Sequence, residues 1–381
     1  MKHLLSSLLT PEPLSAEPLI IVLQLRRISD CVLTSPALHL LRQTWPKAKI
    51  TLVVAESCGD LAPMLPRVDE VLIYHPKISS NRPLLKRLLT GRFDVCLDFT
   101  GTDRSALFSM ASRAYRRVAF EWARKGPLRA LIYQNFVGVT VQSIHTIDRM
   151  LELLRPIGVT PSDAKMLPML TVPDFAQRRV QLLLRECGVT GRFALVHPSA
   201  ATLEKYWLPE RWAEVILHLQ HYHGLPCILT GGSDLDDQTH VRAIQTALAM
   251  LGSGPLPLPL VTLAGQLDLT LLTAIAARCT VAVSTDTAVM HIASAFRIPQ
   301  VSLFGPTNPF ESHPRHPLSR VICAASPMDA TEEFSPEAQS APMSDIPSAV
   351  VCRVIDGLLS VGEVSVDVLD DRPPRPPETH A

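Results

Sequence analysis

Leu19-Ile20-Ile21-Val22-Leu23-Gln24-Leu25 is apolar at all but one position, and its reading decides the fold. A strand with one wet face alternates apolar and polar residues; a continuous apolar run of this length marks a strand buried on both faces, as in parallel sheets covered by helices. Working outward, a helical stretch runs from about Asp30 to Arg42, with Val32, Leu33, Ala37, Leu38, Leu40 and Leu41 facing inward, and Trp45-Pro46 ends it. Further strands read at Ile50 to Val54, Val71 to Tyr74, Phe93 to Phe99 and Arg116 to Phe120, separated by helical segments. A turn-rich stretch at 158–174, flanked and punctuated by Pro156, Pro161, Pro168 and Pro173, reads as a linker. The alternation restarts at Phe193-Ala194-Leu195-Val196-His197 and continues through Cys227 to Thr230, Val261 to Leu263, Val281 to Val283 and Gln300 to Phe304.

Two α/β units in tandem predict two Rossmann-like domains with parallel sheets, facing each other across a cleft. The expected boundaries are a flexible arm at 1–17, an N-terminal domain at 18–165, a C-terminal domain at 166–325, a loop with one helix at 326–360, and a disordered Pro-rich tail at 361–381. The chain has 381 residues, 47% hydrophobic, enough apolar surface for two cores and incompatible with wholesale disorder. Thirty-six Lys+Arg balance thirty-six Asp+Glu, so no global basic field favours nucleic acid. The eight cysteines are scattered singly without a Cys-x-x-Cys pair, which predicts buried thiols in a reducing compartment. The apolar run Leu4 to Leu9 is too short for a signal peptide, and no window approaches the ~20 apolar residues of a membrane span. A soluble cytoplasmic protein is expected.

Parallel sheets bind ligands beyond the carboxyl ends of their strands, so the chemistry is sought in the loops there. In Arg26-Arg27-Ile28-Ser29-Asp30, Asp30 stands at a helix start, where a carboxylate either caps the helix or projects as a general base; from position alone the cap is the commoner role. The loop His197 to Trp207 offers Ser199 and Thr202 for close backbone approach and Lys205 as a charge suited to phosphate, although a lone lysine is usually solvated. Gly231-Gly232, followed by Ser233-Asp234-Leu235-Asp236-Asp237, permits a tight turn beneath a nucleotide with a carboxylate for ribose hydroxyls, but lacks the G-x-G-x-x-G spacing. Ser284-Thr285-Asp286-Thr287-Ala288-Val289-Met290-His291 ends a strand and opens a helix whose free amides at Thr287 and Ala288 suit an anion such as a diphosphate. His291 is equally a core histidine or a sugar contact, and the Gly305-Pro306 turn closes the same end of the sheet.

In order along the chain, these stretches resemble the lipopolysaccharide heptosyltransferases, glycosyltransferase family 9. The resemblance rests on Ser29-Asp30 with Thr34-Ser35-Pro36-Ala37-Leu38, Trp45-Pro46-Lys47-Ala48, Val68-Asp69-Glu70-Val71, the His197-Pro198 loop with Lys205 and Trp207, Gly231-Gly232, Asp286-Thr287 with His291, and Phe304-Gly305-Pro306-Thr307. It spans about residues 19–310 and implies the GT-B fold and inverting transfer of a heptose from ADP-heptose to the lipopolysaccharide inner core. It further implies Asp30 as the base, Lys205 and the Asp286-Thr287-Ala288 turn on the donor diphosphate, and Gly232 with a carboxylate of 234–237, first of all Asp236, near the adenosine. No acidic pair suits a catalytic metal, so turnover without a metal or other cofactor is expected. The implied partners are the nucleotide-sugar donor and a lipid-linked core acceptor, with peripheral contact at the inner face of the inner membrane. For that contact the nearest candidate is the basic stretch Arg113 to Arg129 around Trp122, more simply a solvated loop. Ser29 and Ala288 stand where the family usually has glycine, and at Ser29 this predicts a Cβ at a position needing positive φ. Another nucleotide-sugar donor, and a catalytically silent binding protein of the same fold, are the rival readings.

Overall fold

The strand expected at Leu19 forms the centre of a sheet: β1 (Leu19–Gln24) is flanked by β2 (Lys49–Ala55) and β4 (Val95–Asp98), and all but its first residue are buried. With β3 (Glu70–Tyr74), β5 (Arg116–Phe120) and β6 (Asn135–Val137) it makes a six-stranded, wholly parallel sheet in the order β3-β2-β1-β4-β5-β6. The computed structural model describes residues 14–139, 144–161, 165–252, 255–331, 334–337 and 339–364; most of the expected arm (1–13) and tail (365–381) lies outside the described residues. This first lobe carries α1 (Ile28–Leu33), α2 (Ser35–Thr44), α3 (Arg82–Thr90), α4 (Asp103–Ala111), α5 (Pro127–Ile132) and α6 (Thr146–Glu152). Asp69, from one of the motifs above, is structural: it pairs with Arg42 at 2.5 Å and accepts the Ile50 amide at 2.7 Å, tying α2 to β2.

The single helix expected from Asp30 to Arg42 is broken at Thr34, and the cause is Pro36. Proline has no amide to donate to the Val32 carbonyl. Ser35 Oγ donates to that carbonyl instead, at 2.5 Å, and the chain resumes as α2 at Ser35.

The second lobe repeats the plan. It contains α7 (Asp174–Glu186), β7 (Ala194–His197), α8 (Pro209–His223), β8 (Cys227–Leu229), α9 (Leu235–Leu251), β9 (Leu260–Thr262), α10 (Leu269–Ala276), β10 (Val281–Thr285), α11 (Ala288–Ala295), β11 (Gln300–Phe304), β12 (Ser319–Cys323), β13 (Ser326–Thr331) and α12 (Ser348–Val364). Its sheet runs β13-β12-β11-β10-β7-β8-β9, parallel except for the β12–β13 pair. β13 lies where the composition reads as loop. Its Pro327 and Asp329 suit a partly exposed edge strand, where a missing ladder donor costs little.

Counted within each lobe, the first six strands of both sheets follow the doubly wound order 3-2-1-4-5-6, with β13 appended to the second. Each sheet therefore has its switch point beside its first strand, between β1 and β4 and between β7 and β10. α12 returns across the second lobe and packs on α8 and β11, with Val351 and Ile355 fully buried. Replacing Ile355 with alanine is expected to cost about 2–4 kcal/mol, as for other large-to-small core changes, read by urea unfolding with tryptophan fluorescence. A cost within experimental error would show that α12 is not part of this core.

Candidate functional site

At the downstream switch point, β10 delivers Asp286 to the start of α11. Lys205 Nζ donates to Asp286 Oδ2 at 2.6 Å and Thr307 Oγ1 donates to the same oxygen at 2.8 Å. Both partners of the ion pair are largely enclosed, with side chains 13% and 15% exposed, so this is a positioned charge pair rather than a surface contact. Thr287 caps α11 by accepting the Val289 amide. The amides of Thr287 and Ala288 then open the helix, where the first N–H groups have no intrahelical acceptor and the dipole favours an anion.

The floor of this half is built by β7 and β8. Thr285 Oγ1 donates to the Ser199 carbonyl at 2.8 Å, and Ser199 Oγ is buried with no partner among the described residues. Gly231 faces it so closely that a Cβ there would stand 2.6 Å from Ser199 Oγ. His197 bonds Thr230 Oγ1 at 2.9 Å, and burial pushes its pKa down to about 4, so it serves as a neutral strut. The Gly232 amide donates to Asp237 Oδ2 at 2.8 Å, while Tyr206 donates to Asp237 Oδ1 and stacks on His240. Asp237 is therefore the carboxylate turned into the loop; Asp236, one residue earlier, is exposed on α9. Thr202 is also exposed, its hydroxyl turned to Glu204. His291 is buried, held neutral with a pKa of about 4, which is the core alternative. A Cβ on Gly305 would meet Met343 Sδ at 2.6 Å, so this glycine lets the 341–343 segment close over the strand end.

At the upstream switch point, β1 ends at Gln24 and Asp30 follows in the first turn of α1. The N-cap position is Arg27, whose own side chain makes no cap, while its amide bonds the Asp30 carboxyl at the third helical position. Ser29 lies in that turn and has no positive φ; the strain expected there does not occur, because α1 begins one residue before it. Burial raises the Asp30 carboxyl above the usual carboxylate range, outweighing the opposing pull of Arg26, Arg149 and the Arg27 amide. The β4–α4 loop fixes this end: Leu25 N–H donates to Thr100 Oγ1 at 2.8 Å, and the Arg26 guanidinium donates to the Thr100 carbonyl at 3.0 Å. Gly101, at φ +71, passes so close to Trp122 that a Cβ would stand 2.6 Å from Nε1. The guanidinium groups of Arg26 and Arg149 each lie 5.8 Å from the Trp122 ring centre.

The two halves meet because α1 packs against α11, with Cys31 and Val32 in one apolar cluster with Val289, Ile292 and Ala293. Beside it, Arg315 makes a bidentate pair with Asp148 at 2.7 and 2.5 Å, and Arg149 pairs with Glu311 at 3.7 Å. His145 Nδ1 accepts the Ile147 amide, so its Nε2–H donates to the His313 carbonyl at 3.0 Å. Thr307 and Arg26 lie in stretches quoted from the sequence but given no role there, Asp237 is the carboxylate of 234–237 ranked behind Asp236, and Arg149 is not singled out. Asp237 was legible as the third helical residue after Asp234, whose side chain accepts its amide. Arg149 carries no local signal, since only the fold brings α6 to α1. The basic stretch 113–129 is largely committed internally: Arg117 bonds two carbonyls, and Arg129 bonds the Gly101 carbonyl and pairs with Asp103. Among the described residues, no helix is long and apolar enough to cross a membrane.

Two doubly wound lobes, each offering its switch point to a shared cleft, define a glycosyltransferase of the GT-B fold. The chain belongs to glycosyltransferase family 9, the heptosyltransferase family, whose model matches residues 82–340. Lipopolysaccharide heptosyltransferase 3 of Escherichia coli is 25% identical over 358 residues, covering 84% of this chain and 98% of that protein. Among solved structures, a family 9 glycosyl transferase from Veillonella parvula superposes with a TM-score of 0.75 at 20% identity, covering 92% of this chain and all of that one. The E. coli ADP-heptose lipopolysaccharide heptosyltransferase II superposes at 0.73 and 20% identity, covering 91% and 99%.

Lys205→Met leaves the enclosed Asp286 carboxylate with Thr307 alone. It is expected to lower stability by on the order of 2–3 kcal/mol, part of which Asp286→Asn recovers in the double variant. Thermal unfolding of the four proteins measures this; strictly additive losses would show that the pair is not coupled.

Proposed function

We propose that the protein transfers a heptose from ADP-heptose to the inner core of lipopolysaccharide with inversion at the anomeric carbon. The observation that carries the reading is the packing of α1, with Asp30 in its first turn, on α11, which begins directly after Asp286 and Thr287. In this mechanism Asp30 takes the proton of the attacking acceptor hydroxyl. The new glycosidic bond forms from the face opposite the departing ADP, as the bond from anomeric carbon to phosphate oxygen breaks. Charge grows on the diphosphate, and the amides of Thr287 and Ala288 with the Lys205 ammonium receive it. Donors already held in place stabilise that charge without reorganising.

Ser199 and the Gly231-Gly232 turn, braced by Asp237, are assigned to the nucleoside. Gly231 gives the close backbone approach, and Ser199 Oγ supplies a buried hydroxyl without a partner among the described residues. The upstream lobe receives the acceptor, whose lipid anchor brings the reaction to the inner face of the membrane. Arg113, Arg124 and Lys125 are the exposed cations of the basic stretch in that lobe, Arg124 being paired with Glu121.

Asp30→Asn is expected to lower transfer by about 10²–10⁴-fold while leaving ADP affinity, measured by calorimetry, essentially unchanged. Retained transfer would return Asp30 to a structural role. Calorimetry with ADP, UDP and GDP separates the donor classes, and tightest binding of UDP or GDP would overturn the adenine assignment. The base must be ionised, so kcat/KM rises with pH through the Asp30 pKa and levels off above it. Arg26 favours the carboxylate form, so Arg26→Gln is expected to shift that acid limb to higher pH. An unmoved limb in an active Arg26→Gln enzyme would mean that another group sets the profile.

A further inference from the structure

Away from the cleft, α8 meets α12 at a second cluster of chemistry-bearing side chains. His218 and His223, both on α8, turn their Nε2 atoms onto one oxygen of α12: Oδ1 of Asp356 lies 2.6 Å from the first and 2.7 Å from the second. One ligand atom from each of the three residues falls within 4.8 Å of the others. The two histidine side chains are 16% and 18% exposed and Asp356 is 48% exposed, so the cluster is anchored but open to solvent. His218 and Asp356 line a groove of about 540 Å³ together with Cys352, one turn before Asp356 on the same helix, and His221.

We propose that His218, His223 and Asp356 bind a first-row transition-metal dication, Zn²⁺ foremost, which pins the C-terminal helix to the downstream lobe. Two imidazoles and one carboxylate suit zinc with a water in the fourth position, and do not suit Mg²⁺ or Ca²⁺, which want oxygen ligands. Without metal, each Nε2–H donates to Oδ1; with it, the two imidazoles give up those protons and present lone pairs.

Tetrahedral bonds of about 2.0–2.2 Å hold ligand atoms roughly 3.3–3.6 Å apart, so each imidazole–carboxylate distance lengthens by about 0.6–1.0 Å, and the two imidazole nitrogens, no more than 4.8 Å apart, settle into the same range. Rotation of the half-exposed Asp356 side chain accommodates this. The site is remote from the reaction. α8 leaves the cleft at Pro209, and its 15 residues span about 22 Å, which puts His223 at the opposite edge of the sheet. The ion is a clamp and takes no part in transfer.

The test uses the full-length chain without a histidine tag, stripped with a chelator and titrated with Zn²⁺ and Co²⁺. The expected result is one equivalent bound per chain, a Co²⁺ visible spectrum of tetrahedral intensity that Zn²⁺ abolishes, and a Tm that rises with Zn²⁺. His218→Ala/His223→Ala is expected to weaken Zn²⁺ binding at least 100-fold and Asp356→Asn at least tenfold. Because those changes can also loosen α12, His223→Gln is the companion variant: it keeps a donor for Asp356 but offers no ring nitrogen. It is expected to match the metal-free Tm of the parent and to lose the zinc-dependent rise. Absence of a bound equivalent at micromolar free Zn²⁺, or binding unchanged in the double-alanine or glutamine variant, overturns the proposal and leaves a hydrogen-bonded His–Asp–His trio.

Discussion

The packing of α1 on α11 is the contact on which the rest of the molecule depends. Both helices follow strands that border a switch point, so both begin at the carboxyl edge of a parallel sheet. Small and medium side chains, Cys31 and Val32 against Ile292 and Ala293, let the two helices approach and continue one apolar core across the lobes. The contact is non-directional, and polar latches supply its register: Arg315 grips Asp148 with two hydrogen bonds, and His145 reaches the His313 carbonyl. Helix starts that sheet topology would place on separate lobes thereby become two walls of one cleft.

The electrostatics of those walls differ, and the difference is what makes them complementary. Downstream, charge is paired beforehand: Lys205, Asp286 and Thr307 form an enclosed network beside the opening amides of α11. Upstream, Asp30 is half-buried in the first turn of α1, where burial raises it above the usual carboxylate range despite the Arg27 amide and two nearby guanidinium groups. A raised carboxyl is a better proton acceptor at neutral pH, and a fixed amide array is a better anion host than mobile water. Ser29 and Ala288 fit this arrangement without backbone strain: both are helical, and Ala288 contributes its amide as the first residue of α11.

The sheets were legible because burial on both faces leaves an unmistakable imprint: Leu19 to Leu25 and Phe193 to His197 have almost nowhere to put a polar side chain. The loops beyond those strands were legible as candidates for the same reason, since topology confines binding to the carboxyl ends. Side-chain direction was less so. Asp236 and Asp237 are adjacent carboxylates at one helix start, and only the hydrogen bonds from Gly232 and Tyr206 show which turns inward. The break at Thr34 hung on Pro36, whose missing amide was visible but whose replacement by Ser35 Oγ was not. β13 escaped because an edge strand has little burial to record. Arg149 escaped because its partners, Glu311 and Trp122, come from distant parts of the chain.

The proposed transfer needs a diphosphate lying in one lobe within reach of a carboxylate from the other, and a crystal structure with an unreactive ADP-sugar measures that directly. The expected electron density places the diphosphate on the amides of Thr287 and Ala288 beside Lys205, with the anomeric carbon facing Asp30. A diphosphate bound elsewhere, or an Asp30 carboxylate turned out of the cleft with the sugar in place, would contradict it.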